Sequence, residues 1–118
     1  PYLLYAYARI NSILKKVDLE KPDSLDYSYT LNEDELILAK KLIQFPTAFN
    51  QSLKDLRPHF LCTYLYELSG VFNAFYSKNK VIHEKIDIQK KRLMLCRRTK
   101  LILKIGLDLI GIKTVERM

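Results

Sequence analysis

Apolar side chains return every three or four residues through most of this chain, which is the spacing of one helix face rather than of a strand. In the first segment, roughly residues 2–17, Leu3, Tyr7, Ile10 and Leu14 share such a face, and Arg9 sits off that line. The acidic stretch DLEKPDSLDYSYT that follows has no period and reads as a loop. Asn32 with Glu35 three residues on has the form of a capping box, so a second helix is expected to start there. It should run to about Phe45 and stop at Pro46, with a short third helix over about 47–56 carrying Phe49, Leu53 and Leu56.

Pro58 suits the first turn of a fourth helix, PHFLCTYLYELSGVFNAFYSK, whose Leu61, Leu65, Leu68, Phe72 and Phe75 form one continuous apolar stripe. The pattern breaks at NKVIHEK. A long fifth helix is expected from near Ile86 to Gly111, with Leu95, Ile102, Ile105 and Leu109 on one apolar line and Arg98, Lys100 and Lys104 interleaved. Gly111 is placed to take the left-handed conformation that closes a helix. The pattern therefore predicts an all-α bundle of about five helices forming one domain over residues 1–118, with no internal repeat and no low-complexity segment.

Composition agrees with that picture. A chain of 118 residues, 48% of them hydrophobic, is large enough to bury a core without disulfides or metals, and three glycines and four prolines are few interruptions for long helices. The net charge of +7 is unevenly placed. Residues 1–84 carry ten Lys/Arg and ten Asp/Glu, whereas residues 85–118 carry ten Lys/Arg against only Asp87, Asp108 and Glu116. A basic segment beside a neutral body points to an anionic partner, the alternative being a solvated helix face. Cys62 and Cys96 stand alone, which fits a reducing compartment and gives no zinc motif. No apolar run approaches the roughly 18 residues that span a membrane. No signal peptide is visible, and a cytoplasmic location is expected. The chain opens with Pro1 rather than Met, so a fragment of a longer protein is expected.

Catalytic patterns are missing. There is no Gly-rich phosphate loop, no GxSxG and no paired-histidine metal motif. His59 reads as a cap or surface residue and His83 as a loop residue. The carboxylates gather in the 18–35 region, where they solvate a connection and complement a helix N-terminus. This segment alone is therefore not expected to be a catalyst. What remains is a binding surface of basic and tyrosine side chains. Tyr2, Tyr5 and Tyr7 crowd the first helix and Tyr64, Tyr66 and Tyr76 the fourth. Such rings stack the splayed bases of single-stranded RNA loops; the competing reading is that most of them are core or rim packing.

Three blocks carry a resemblance. PYLLYAYARINSI resembles the start of the C-terminal domain of arginyl-tRNA synthetases, whose helix commonly reads YLQYAHARxxSI. PHFLCTYLYELSGVFNAFY is similar to that domain's PHxLxxYLxxLxxxFxxFY helix, and RLMLCRRTKLILKIGLDLIGIKTVERM to its RLxLxxxxxxxLxxGLxLLGIxxxERM end. The blocks occur in the same order and cover nearly the whole chain. The resemblance implies an anticodon-binding domain of the DALR type, attached after a class I catalytic domain. That parent would join arginine to its tRNA using ATP with magnesium, and no cofactor would belong to this segment. Neither a HIGH-like nor a KMSKS-like sequence occurs here.

By resemblance, Tyr2, Tyr76 and the terminal Met118 would form a pocket for an anticodon base, and Arg9 would bind backbone phosphate or brace that pocket. A thioether is polarizable and packs well on a ring. Gly111 would send the last residues back across the bundle, with Glu116 and Arg117 anchoring the return. All arginine anticodons have cytosine in the middle, so one splayed cytosine is the expected target on tRNA-Arg. Arg97, Arg98 and Lys100 are possible phosphate contacts. The basic run of Lys90, Lys91, Arg92, Arg97 and Arg98 either touches the anticodon stem or is a solvated face, and Arg92 matches a position that is more often structural. Two departures stand out: Tyr7 replaces a common His, and Leu4 a common Gln. The alternatives are the anticodon domain of another synthetase, such as the glycyl β-subunit or the cysteinyl enzyme, and a basic helical protein-interaction module.

Overall fold

A computed structural model describes residues 2–17, 30–54 and 58–111. Among them are five helices and no strand: α1 (Tyr2–Lys15), α2 (Glu33–Ile43), α3 (Phe45–Lys54), α4 (Pro58–Lys78) and α5 (Ile86–Leu109). The expected all-α architecture is therefore observed. The acidic loop after α1 and the end of the third helix near Leu56 lie outside the described residues.

The start of α2 follows its sequence signature. Asn32 Oδ1 accepts from the Glu35 amide at 2.8 Å, and Glu35 Oε1 accepts from the Asn32 amide at 2.8 Å. This reciprocal pair satisfies two of the amides that a helix start leaves open. Pro58 is the first residue of α4, and Gly111 has φ of 80°, the left-handed value expected after α5. Pro46 behaves differently from expectation. α2 ends at Ile43 with Gln44 as its cap, and Pro46 is the second residue of α3 rather than a stop. A first-turn proline loses no helix hydrogen bond, since that amide would have no partner within the helix.

α4 is the centre of the bundle and packs against α1, α2, α3 and α5. Its stripe of Leu61, Leu65, Leu68, Phe72 and Phe75 is almost wholly buried, together with Tyr7, Ile10, Leu38, Leu93, Leu103 and Leu107 from the other helices. On the flank toward α2 and α3, Tyr64 donates its hydroxyl at 2.6 Å to the Lys41 carbonyl, which also accepts from the Gln44 amide at 3.2 Å at the end of α2. Phe45 of α3 lies 5.9 Å from the Tyr64 ring. α5 crosses α4 closely: a Cβ added at Gly106 would stand 2.5 Å from a terminal methyl of Leu65. Ser69 and Thr99, both buried, turn their hydroxyls onto carbonyls four residues back, at 2.9 and 2.8 Å.

The apolar line expected on α5 is buried only in part. Leu95 is 4% exposed, but Ile105 is 39% and Leu109 53% exposed. The buried face of α5 is instead Leu93, Cys96, Thr99, Leu103, Gly106 and Leu107. That face includes a hydroxyl, a thiol and a glycine, so it is weaker in hydrophobic contrast than the line that stays partly in water.

Candidate functional site

Spacing sets up the first cluster. Tyr5 and Arg9 are four apart on α1, and Asn73 and Tyr76 three apart on α4, so each pair shares a face of its helix. α1 packs on α4, and the two pairs meet. The Arg9 guanidinium lies over both rings, 4.4 Å from the Tyr5 centroid and 4.7 Å from that of Tyr76. One Arg9 Nη donates to Asn73 Oδ1 at 2.9 Å and the other to the Tyr5 hydroxyl at 3.0 Å. Tyr76 in turn leans on the buried Phe72 ring at 6.1 Å. Arg9 is therefore held by two rings and two hydrogen bonds, and none of these partners is a carboxylate. Cation–π contacts hold a guanidinium without cancelling its charge. The cluster is also half open to water: Tyr5 is 49% exposed, while Tyr76 is partly buried.

Sequence reasoning named Arg9 and Tyr76, and the fold brings them together. Tyr2 is the first residue of α1, on the same helix as Arg9, and its ring is not described. Met118, together with Glu116 and Arg117, lies outside the described residues. Tyr5 was named only among the tyrosines crowding the first helix and Asn73 not at all, although the four-residue spacing of Tyr5 from Arg9 was the cue that would have placed the first in the pocket. The tyrosines also separate. Tyr7 and Tyr64 are core residues at 0% and 4% exposure, as the packing reading of these rings expected, while Tyr66 is 60% exposed. The Tyr7 hydroxyl is buried with no hydrogen-bond partner among the described residues. Burial also raises the hydroxyl pKa of Tyr64.

The basic residues of α5 fall into two groups. Lys91 Nζ lies 2.9 Å from Glu35 Oε1 and Arg92 Nε 2.7 Å from Glu35 Oε2. Lys91 also donates to the Thr30 carbonyl at 2.8 Å, and Arg92 to that of Lys80 at 2.7 Å. Glu35 is wholly buried, which corrects its reading as part of a solvating acidic cluster. Burial alone would raise its pKa, but hydrogen bonds from Arg92, the Asn32 amide and Lys91 outweigh this and hold the carboxyl below its ordinary value. Asn79 joins the same region, accepting from Asn32 Nδ2 at 2.8 Å and donating to Asp34 at 3.3 Å. Lys91 and Arg92 are thus not a solvated face; they are committed to a buried carboxylate.

The second group lies further along α5. Arg97 is partly buried, and burial lowers its pKa. Arg98 is exposed. Lys100 is half-buried with Nζ 5.7 Å from the Tyr7 ring centroid, which puts it beside α1. His59 is exposed with its ring against Phe60, and His83 accepts at Nδ1 from the Lys85 amide. Burial pushes the Cys96 thiol up to about 12, which makes it inert at neutral pH. Among the described residues no group of three or more His, Cys, Asp or Glu could hold a metal ion. No helix there is long and apolar enough to cross a membrane.

Comparison with known proteins places these features. Residues 3–118 match the model of the DALR anticodon binding domain. The chain is 47% identical over 119 residues to an arginine–tRNA ligase of Actinobacillus succinogenes, covering 100% of this chain and 20% of that protein. It is 47% identical over 120 residues to the arginine–tRNA ligase of Pasteurella multocida, covering 21% of that protein. Among solved structures, an arginyl-tRNA synthetase of Thermus thermophilus matches over the whole chain with a TM-score of 0.90 and 32% identity. The Plasmodium falciparum arginyl-tRNA synthetase matches over 99% of the chain with a TM-score of 0.86 and 35% identity. The chain spans 21% of each of these two structures, so it is about a fifth of the length of the proteins it resembles.

Proposed function

The chain belongs to the DALR anticodon binding domain family, and from that premise we propose that it is the anticodon-reading domain of an arginine–tRNA ligase. Its partner is tRNA-Arg, and the base it reads is the middle cytosine of the anticodon. The parent's catalytic domain joins arginine to that tRNA with ATP and magnesium, in the cytoplasm. Residues 1–118 form one domain of that parent and hold no cofactor themselves.

The observation that carries this reading is the Arg9 cluster on α1 and α4. A splayed base needs a ring to stack on, a donor or acceptor for its edge, and a cation for its phosphate. Tyr76 and Tyr5 supply rings, Asn73 an amide, and Arg9 a fixed positive charge. Because Arg9 is already held, little side-chain freedom is lost when RNA arrives, which lowers the entropic cost of binding. In this reading Tyr2 and Met118 complete the pocket, Arg9 braces it from between the rings, and Arg97, Arg98 and Lys100 meet backbone phosphates. Binding then weakens as salt rises, since phosphate contacts release counterions.

The test is a titration of the full-length protein with two RNAs. One is the arginine tRNA anticodon stem-loop; the other differs only in the middle anticodon base. The reading expects at least tenfold weaker binding to the altered loop, about 1.4 kcal/mol. Equal binding to both would contradict it and leave a basic surface without base preference.

A further inference from the structure

The Arg9 cluster fixes not only a cation but also which hydrogen-bonding groups around it stay open. A guanidinium carries N–H donors and no acceptor, so a neighbour that bonds to it must turn an oxygen toward it. Asn73 does so with Oδ1, 2.9 Å from one Arg9 Nη, and Tyr5 with its hydroxyl oxygen, 3.0 Å from the other. The Asn73 amide is thereby oriented, with its oxygen on Arg9 and Nδ2 on the other side. Among the described residues Nδ2 has no partner, and the side chain is only half-buried. The groups that Asn73 and Tyr5 leave open are therefore donors: two N–H on the amide and the O–H of the phenol.

The donor on α4 is also held in place. Asn73 lies between Phe72 and Phe75, whose rings are wholly buried, so its backbone is anchored on the core. The bond to Arg9 then fixes the side chain, and Arg9 is itself held between two rings. Little freedom is left to lose when a base arrives.

Fixed donors select for acceptors. Cytosine has two acceptors side by side on its pairing edge, O2 and N3, whereas uracil carries an N3–H between two carbonyls. An amide N–H set against that N3–H leaves both donors unpaired, which costs more than a weak bond would gain. A site built to hydrogen-bond one edge rejects the mismatched edge more strongly than an apolar pocket rejects a change in size.

We propose that Asn73 is a specificity-determining residue of the pocket: its Nδ2 donates to N3 and O2 of the cytosine, and Arg9 sets the amide orientation that allows this. This rests on the reading of the chain as an anticodon-reading domain and adds the atom that separates cytosine from uracil. Arg9 then acts on the base through Asn73, as a positioning residue, besides supplying charge.

The test is a titration of the full-length protein with two arginine anticodon stem-loops, one with cytosine and one with uracil in the middle position. The unsubstituted protein should prefer cytosine about tenfold or more. Asn73→Asp has the same shape and keeps an oxygen on Arg9, but it places an acceptor where Nδ2 stood. Its negative charge weakens binding to both loops, so the ratio is the readout. The ratio should fall to one or below, because a carboxylate accepts from uracil N3–H and is repelled by cytosine N3. Asn73→Ala removes the donor without adding charge and suits a helix, so it serves even if the aspartate variant unfolds. It should lower the ratio at least about threefold with the unfolding midpoint nearly kept. An unchanged ratio in a folded Asn73→Asp or in Asn73→Ala would overturn the proposal, even where both affinities fall together, because Asn73 would then only brace Arg9. No preference in the unsubstituted protein counts against the anticodon reading itself. A preference that survives both substitutions counts against Asn73 alone.

Discussion

Arg92 and Arg9 show how one residue type serves two purposes. Arg92 meets the carboxylate of Glu35, beside Lys91, at a wholly buried position. Arg9 meets two aromatic faces, an amide and a hydroxyl at a half-open position. In the first region one carboxylate is shared by two cations and geometry is locked, so the result is a clamp joining α2 to α5. In the second the guanidinium is positioned but keeps its charge. A positively charged sequence segment is therefore not a binding surface in proportion to its charge. Among the described residues, what separates the two arginines is whether a carboxylate already meets the cation.

Breaking the clamp gives the largest expected effect. Glu35→Ala removes the capping-box partner and leaves Lys91 and Arg92 unpaired in a mostly buried site. The expected cost is about 3–5 kcal/mol, the range for losing one side of a buried ion pair. The check is urea unfolding followed by helical circular dichroism, and a loss below about 1 kcal/mol would assign the clamp a minor role. Arg9→Leu should invert the pattern. Its expected cost in stability is near 1 kcal/mol, set by two hydrogen bonds at a half-open site. Stem-loop affinity should fall tenfold or more, about 1.4 kcal/mol, as read by titration at fixed salt.

Acid sharpens the contrast further. The folded-state pKa of Glu35 lies below its ordinary 4.5, so its contribution to stability is present above 4.5 and is lost as pH falls through the folded value. Unfolding midpoints measured from pH 7 downward should stay level and then drop below about 4.5, and Glu35→Gln should remove much of that drop. The smallest effect is expected at Tyr7, whose buried hydroxyl has no partner among the described residues. Tyr7→Phe should change stability by no more than about 0.5 kcal/mol, or raise it, because no hydrogen bond is lost. A loss above 1 kcal/mol would reveal a partner for that hydroxyl.

Local features were legible in the sequence because their causes are local. The Asn32–Glu35 box, Pro58 at the start of α4, Gly111 after α5 and the apolar stripe of α4 each follow from neighbours within one or two helical turns. The clamp was not legible. Glu35 and Arg92 are 57 residues apart, and nothing in either neighbourhood says that they meet. Pro46 was read as a stop because a proline excludes a helix interior equally well whether it follows an end or opens a start. The apolar line on α5 misled for a related reason. Leu95, Ile102, Ile105 and Leu109 have the stronger pattern, yet close packing of Gly106 on Leu65 turns the weaker face inward. For the site, Arg9 and Tyr76 came from resemblance, whereas the partnership of Arg9 with Tyr5 and Asn73 came from the fold.

The measurement closest to the central claim is the base-preference ratio of Tyr76→Ala. The full-length variant is titrated with the cytosine stem-loop and its middle-base substitute, with the unfolding midpoint recorded on the same sample. The account predicts that the ratio collapses toward one while the midpoint moves only slightly, because the ring reads the base and the α4 stripe holds the fold. An unchanged ratio, or a lost ratio together with lost helix, would contradict it.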